Sequence, residues 1–348
     1  MKKLLKILLV VLLCVVIIAA LGIGWLTVTE YRPEPVETAG VEGSAEKLDA
    51  GSDIRILTWN IGYAGLGEGS DFFMDGGKNV KSADEATVKK YISGISDYVS
   101  GSGADVVLLQ EVDRASSRSY DIDETEFFDG VKEYAPNFLC KFVPYPMPPI
   151  GRVNSDLLTV SQNEIDSAQR LALHCPFDWP VRIANLKRCL LVRYLPIKGS
   201  DKQLVLVNLH LEAYDDGEGK IAQTKQLREF IQSEYEKGNY VIAGGDFNQV
   251  FPGSLDIYPN THPENWEPGI LAEDTAPEGW TLAYDLSVPS CRLLNQPYDA
   301  SDTENTQHYV IDGLILSPNV QLKTVETVDA GFENSDHNPV LVTVVLEK

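Results

Sequence analysis

Tyr240-Val-Ile-Ala-Gly-Gly-Asp246-Phe-Asn248 decides how this chain folds. A short apolar run with aromatic and β-branched residues reads as a buried strand. The two glycines allow a turn or a close backbone approach, and Asp246 and Asn248 stand where the strand ends. Strand ends of an α/β sheet are where sites assemble. Working outward, the same pattern recurs: Asn60 follows Ile56-Leu-Thr-Trp59, and Glu111 follows Leu108-Leu-Gln110. Asn208 and His210, two apart within 204–211, share one face of a strand, with Val207 and Leu209 on the other. Asp312 interrupts the apolar run 309–316, and Asp336-His337 directly precedes the last strand. A polar residue inside a β-run needs a partner or a task.

Short β-rich runs at 54–59, 106–109, 190–194, 204–211, 240–243, 309–316 and 339–346 alternate with helical patterns, an α/β layout with mixed strand order. Val88, Ile92, Ile95 and Val99 recur at helical spacing and are stopped by Gly101-Ser-Gly103. A second helix is expected over 221–237, and 252–289, rich in Pro, Gly, Trp and acidic residues, reads as an irregular excursion. The chain has 348 residues, 44% of them apolar and 9% aromatic, which is enough for a large core in one large domain or two small ones. Its formal charge is -22, and before Arg32 the basic residues are Lys2, Lys3 and Lys6. The remainder is more acidic still and repels long polyanions, with no Lys/Arg-rich stretch to supply phosphate contacts.

From Ile7 to Trp25 every residue is apolar or glycine, a run of 19, close to the roughly 20 residues that span a bilayer core. It reads as a membrane segment or a signal peptide. Its length favours an uncleaved anchor, and the lysines before it leave residues 1–6 in the cytoplasm and everything after the span (7–28) outside. Cleavage near Ala19-Ala20 would instead give a secreted protein. Residues 29–52, with Pro33 and Pro35 and no apolar periodicity, read as a linker to a catalytic domain at 53–348. Cys140, Cys175, Cys189 and Cys291 show no zinc spacing, and two disulfides or isolated thiols fit equally.

Asparagine and carboxylates suit a hard divalent cation, Mg²⁺ first and Mn²⁺ or Ca²⁺ after it, and imidazoles move protons near neutral pH. A lone Asp-Phe-Asn is usually a turn. Gly217-Glu-Gly219-Lys-Ile-Ala222 fits a dinucleotide fingerprint, but it follows an assigned strand and Asp215-Asp216, so it reads as a strand-to-helix loop. No nucleophile elbow, zinc helix or P-loop is present. Trp179, Trp266 and Trp280 suit packing more than base stacking, and His308 stands close enough in sequence to Asp312 to line a cleft.

Leu57-Thr-Trp-Asn60, Leu109-Gln-Glu111, Val207-Asn-Leu-His210-Leu, Gly245-Asp246-Phe-Asn248, Ile311-Asp312-Gly-Leu-Ile-Leu and Ser335-Asp336-His337-Asn-Pro-Val follow one another in order. Together they resemble the motif series of the endonuclease/exonuclease/phosphatase superfamily, which includes deoxyribonuclease-like and sphingomyelinase-like metal-dependent phosphoesterases. The resemblance implies a four-layer α/β sandwich of two mixed β-sheets with a metal at one end. Glu111 would be the principal metal ligand, with Asn60 supporting it or the phosphate and Asp336 completing the metal site. Asp246 would orient or deprotonate water, and Asn248 would hold a phosphoryl oxygen. His337, fixed by Asp312, would contact the phosphate, and His210 would stand near the leaving group. Asn208 and Arg114 are the candidate substrate contacts. Arg114 is displaced by one from the arginine of the deoxyribonuclease branch, whose position Asp113 fills here. Glu164 or Glu212 would partner His210.

These residues imply an enzyme, acting as a monomer, that hydrolyses a phosphate ester or phosphodiester outside the cytoplasm. The substrate would be nucleic acid, a phospholipid headgroup or a small phosphodiester. A non-catalytic binding module on the same fold is the alternative, but such a module would have lost some of these residues and none is missing.

Overall fold

Lys2–Val28 forms an uninterrupted helix (α1) with no buried residue, and its most apolar 18 residues have a mean hydropathy of 3.3. Its 27 residues make it long and apolar enough to cross a membrane. The structure, a computed structural model, describes residues 2–42, 47–49, 51–82, 84–162, 166–302 and 304–347.

Two very short strands follow α1, β1 (Val36–Thr38) and β2 (Gly40–Glu42). The other strands of the two sheets are β3 (Asp53–Asn60), β4 (Val106–Asp113), β5 (Val131–Val143), β6 (Gly151–Ser161), β7 (Ser167–Ala172), β8 (Cys189–Pro196), β9 (Gln203–His210), β10 (Tyr240–Asp246), β11 (Thr281–Ala283), β12 (Asp312–Leu316), β13 (Val320–Thr327) and β14 (Val340–Leu346). Among the described residues they build two seven-stranded mixed sheets, in the orders β1-β7-β8-β9-β10-β12-β11 and β13-β14-β3-β4-β6-β5-β2. The sheets face each other across a shared core that includes Ile56 and Leu108 from one side and Leu206, Ile242 and Leu314 from the other.

Helices cover the outer faces. In α2 (Glu85–Gly101) the side chain of Asp84 accepts from Thr87 N at 2.8 Å and starts the helix, and Val88, Tyr91, Ile92 and Ile95 are buried. They pack with Trp59 and Leu109 on the back of the second sheet. On the first sheet, Leu227 and Ile231 of α3 (Glu218–Glu236) pack with Val205, Val207 and Val241. Helix, sheet, sheet and helix make the four layers. At the start of α3 the Asp215 carboxylate accepts from the backbone amides of Gly217, Gly219 and Lys220. The glycine fingerprint is therefore a helix start whose anion position a carboxylate already fills.

Two readings of the sequence are corrected or sharpened. Within 29–52, read as a linker, β1 pairs antiparallel with β7 and β2 antiparallel with β5, so this stretch adds an edge strand to each sheet. Edge pairing of three residues works through backbone groups and leaves no side-chain periodicity to detect. All five cysteines are free thiols.

Candidate active site

Along each inner strand the side chains facing the opposite sheet change from aliphatic to polar toward one end. In β9 the series is Leu204, Leu206, Asn208, His210, and in β3 it is Ile54, Ile56, Thr58, Asn60. The first polar layer ties the sheets together. Gln110 Nε2 donates to Asn208 Oδ1 at 2.8 Å and to Thr58 Oγ1 at 3.2 Å, while Asn208 Nδ2 donates to the carbonyls of Leu109 and Leu158. Asn208, expected at the substrate, therefore has its amide engaged in a buried bridge beneath the site.

The next layer carries the chemistry. Asp246 is in register with His210 on the parallel neighbour β9 and with Asp312 on the antiparallel neighbour β12. Three ionisable groups thus stand on one rung, about 4.8 Å apart in strand spacing. His337 arrives from the loop before β14, held by the Trp59 indole, which donates to its carbonyl at 2.8 Å. Its Nδ1 lies 2.8 Å from Asp312 Oδ2, which also accepts from Ser290 Oγ at 2.7 Å. Its Nε2 points toward Asp246 Oδ2, at 3.8 Å. Burial opposes charge on the imidazole, but the adjacent Asp312 carboxylate outweighs it and holds the His337 pKa well above the ordinary value. His210 is the opposite case. Burial, then the charge of Arg188, push it well below its ordinary range and keep it neutral. Its Nε2 is 3.4 Å from Asp246 Oδ2, and among the described residues its Nδ1 meets no hydrogen-bond partner. Burial raises Asp246 to about 7 despite the nearby His337 charge and the hydrogen bonds from Asn60 and Asn248 N.

Backbone geometry aims several of these groups. The register of β4 shifts between Leu109 and Val112, and Glu111 within that shift takes a left-handed φ of 56°. Asn248 has φ 50° and closes a turn in which its N–H donates to Asp246 Oδ1 at 2.8 Å. Such conformations cost a non-glycine residue on the order of 1 kcal/mol or more, and cluster where a side chain must be aimed. Gly245 cannot be another residue. Its φ is 145°, and a Cβ there would lie 1.9 Å from the Leu209 carbonyl oxygen.

Asn60 joins the two halves of the site, its Nδ2 donating to Asp246 Oδ2 at 3.0 Å and to Glu111 Oε1 at 3.2 Å. Asp336 lies on the same wall. Burial and repulsion from Glu111 raise it to about 6, against the attraction of His337 and Arg292. Two carboxylates close enough to repel each other form a hard oxygen donor pair. The fold also keeps the space free at Gly62, where a Cβ would meet Asp336 Oδ1 at 2.8 Å. Glu111 and Asp336 therefore fit a divalent cation, while Asn60 faces Glu111 with its amide nitrogen, its Oδ1 accepting from Gly62 N at 3.0 Å. Ligand atoms of Asp246, Asp312 and His337 also gather within 4.8 Å, but there Asp312 Oδ2 is engaged by His337 and Ser290, and the raised His337 pKa opposes the deprotonated imidazole nitrogen that a metal takes.

All these groups except Asp312 open into one cavity of about 620 Å³, which also receives His210, Asn248, Tyr63, Asp75, Arg118, Arg188 and Tyr214. Arg114 does not reach it. Its guanidinium pairs with Asp156 and lies 4.0 Å over the Tyr134 ring. In its place Arg118 enters, gripping Asp113 at 2.9 and 3.0 Å, stacking 3.7 Å over Tyr63 and coming within 3.8 Å of Glu111. The buried Asp113 marks that partner in the sequence, since it needs a cation. Asp75 and Tyr214, joined at 3.0 Å, left no comparable signal, since Asp75 ends a single 3-10 turn (Phe73–Asp75) and Tyr214 lies in a loop. Burial lifts Asp75 to about 7. Glu212 does not partner His210. It caps the amides of Ala213 and Tyr214 and faces Arg188 at 3.6 Å. Glu164 lies outside the described residues. His308 stacks on Phe332 instead of lining the cavity.

Two facing mixed sheets with a histidine-bearing, carboxylate-rich cavity at one end define the architecture of metal-dependent phosphoesterases. The chain belongs to the endonuclease/exonuclease/phosphatase family, whose model matches residues 57–337. Solved structures share the fold. An endonuclease/exonuclease/phosphatase from Beutenbergia cavernae is 15% identical with a TM-score of 0.54, over 85% of this chain and 72% of that one. A family protein from Bacteroides thetaiotaomicron is 15% identical with a TM-score of 0.54, over 86% and 97%. ANGEL2, a 2',3'-cyclic phosphatase in complex with adenosine-2',3'-vanadate, is 14% identical with a TM-score of 0.55, over 90% and 99%. No curated protein matches.

Proposed function

We propose that the chain hydrolyses a phosphate ester or phosphodiester with the help of a divalent cation, from a catalytic domain carried outside the cytoplasm on α1. The observation that carries this reading is the His337–Asp312 pair aimed at Asp246, which itself hydrogen-bonds through Asn60 to Glu111. Glu111 and Asp336 would hold the cation, Mg²⁺ before Mn²⁺ or Ca²⁺, with Asn60 supporting Glu111 through its amide. When bound, it neutralises charge on the phosphoryl oxygens.

Asp246 accepts a hydrogen bond from the attacking water and aims its oxygen at phosphorus. His337 keeps its proton and offers Nε2–H to a phosphoryl oxygen, while Asp312 fixes Nδ1. Asn248 spends one amide hydrogen on the Leu211 carbonyl at 2.8 Å, and the second is available to the phosphate. His210, held neutral by burial and the charge of Arg188, suits hydrogen bonding near the leaving group more than proton donation. The water oxygen adds to phosphorus, the ester P–O bond breaks, and the proton lost by water ends on the departing oxygen. Arg118 and Arg188 supply positive charge inside an otherwise acidic molecule.

The test is a substrate panel of DNA, RNA, sphingomyelin and phosphoinositides, presented with Mg²⁺ to wild type and Asp246→Ala. Turnover of at least one class, lost in the variant, is expected. Absence of any Asp246-dependent turnover would refute the enzyme reading and leave a binding module on this fold.

A further inference from the structure

The cavity that holds Asp246 and His337 continues beyond the polar cluster. It runs along Phe138, Val143, Ile150 and Ile183, and its far wall includes Ile23 and Leu26 of α1. The end of α1 is locked onto the domain at this point. The Trp179 indole donates to Thr27 Oγ1 at 3.1 Å, and Arg182 and Lys187 converge on Glu30 at 2.9 and 3.5 Å. The Glu30 side chain is 1% exposed, and β1 follows it directly into the first sheet. The apolar wall therefore has a fixed relation to the membrane helix.

Large apolar side chains are exposed at and beside this end of the cavity: Tyr145, 68% exposed, and Val181, 58%, line it, and Met147 and Trp179, each two residues away in sequence from one of them, are 84% and 54% exposed. Aromatic and aliphatic groups at the level of a helix end match the interface of a bilayer. A phosphate ester dissolved in water needs the polar end of this cavity but gains nothing from a hydrocarbon-lined passage leading to a membrane span. An ester carried on a hydrocarbon chain uses both, because burying apolar surface is favourable wherever the chain leaves water.

We infer that α1 is more than a tether: Ile23 and Leu26 complete the substrate site, and the ester is that of a membrane lipid. Its hydrocarbon chain passes from the bilayer along α1 into the apolar passage and presents the phosphate to Asp246 and His337. This rests on the phosphoesterase reading above. Phosphomonoester and phosphodiester lipids share the required chemistry, a phosphate ester joined to a long chain.

The test uses the full chain in vesicles of a phosphorus-free galactolipid with Mg²⁺, so that the vesicle offers no competing phosphate. The probes are p-nitrophenyl alkyl phosphates from ethyl to octyl, the corresponding alkyl phosphate monoesters, and a DNA oligonucleotide. One diester or monoester series is expected to gain at least about tenfold in kcat/KM from ethyl to octyl, since each buried methylene contributes several-fold. That gain should shrink in Ile23→Ala/Leu26→Ala and in Ile183→Ser, the latter guarding against faulty insertion of the former. Asp246-dependent turnover with no chain-length gain, or faster turnover of the oligonucleotide, would overturn the lipid assignment and leave the phosphoesterase reading standing. A gain that the α1 variant leaves intact would overturn the role of α1. No Asp246-dependent turnover of any probe would overturn both.

Discussion

In the proposed reaction Asp312 acts on the site without facing the cavity, through the proton it holds on His337 Nδ1. Asp312→Ala should lower kcat by about 100-fold, within the range for second-layer partners and general acids. Calorimetry should show divalent-cation affinity little changed, because Asp312 lies outside the Glu111–Asp336 wall. The arginines make a paired prediction. Arg118→Ala should raise KM or lower kcat by tenfold or more, whereas Arg114→Ala, at a pair with Asp156, should leave turnover near wild type. Equal losses in both would contradict the assignment of Arg118. Away from the site, Glu133 faces Arg193 at 3.3 Å with both side chains fully buried, and burial raises Glu133 to about 7 from an ordinary 4.5. A raised folded-state pKa stabilises below the unfolded value and loses that contribution as pH rises through about 7. Glu133→Gln should therefore gain stability relative to wild type between pH 5 and pH 8, as read from urea midpoints at the two values. A constant difference would show that Glu133 stays ionised throughout.

Elements differ in how firmly the sequence marks them. Buried β10 and β12 announce themselves as apolar runs, and the spacing of Val88, Ile92, Ile95 and Val99 finds α2 over most of its length. The longest strands, β5 and β6, do not. Val131–Val143 carries Lys132, Glu133, Pro136 and Asn137, and Glu133 is buried only because Arg193 arrives from the other sheet, a tertiary fact. β7 and β13 alternate weakly because they lie near sheet edges. Site residues that end strands were legible for the same reason that β10 was. Asp75, Tyr214 and Arg188 come from loops or from the approach to a strand, where no period singles them out. Two stability predictions belong here. Gly245→Ala should cost at least about 2 kcal/mol in equilibrium unfolding, because left-handed strain and a backbone clash coincide. Asp84→Ala, which removes only the cap of α2, should cost about 1 kcal/mol. A Gly245→Ala cost no larger than the cap's would mean that the close approach to Leu209 relaxes freely.

At the scale of the whole molecule, a formal charge of -22 surrounds a cavity into which Arg118 and Arg188 open. The acidic exterior disfavours long polyanions, and the inner arginines favour one phosphate group at a time. The ordered motif series placed Asn60, Glu111, Asp246 and His337 in one site, since each lies at or near the end of a strand in a sandwich whose strand ends converge. It could not reveal that α1 shares a cavity with that site, because the contact depends on β1 and Glu30 fixing the helix against the domain. The central claim is divalent-cation-dependent ester hydrolysis at Asp246, and the most direct measurement is turnover of a p-nitrophenyl phosphate ester by the full chain before and after chelation. The account predicts that EDTA abolishes turnover, that excess Mg²⁺ restores it, and that Asp246→Ala lowers it by at least about 100-fold under all conditions. Turnover that survives chelation, or that persists in Asp246→Ala, would contradict it.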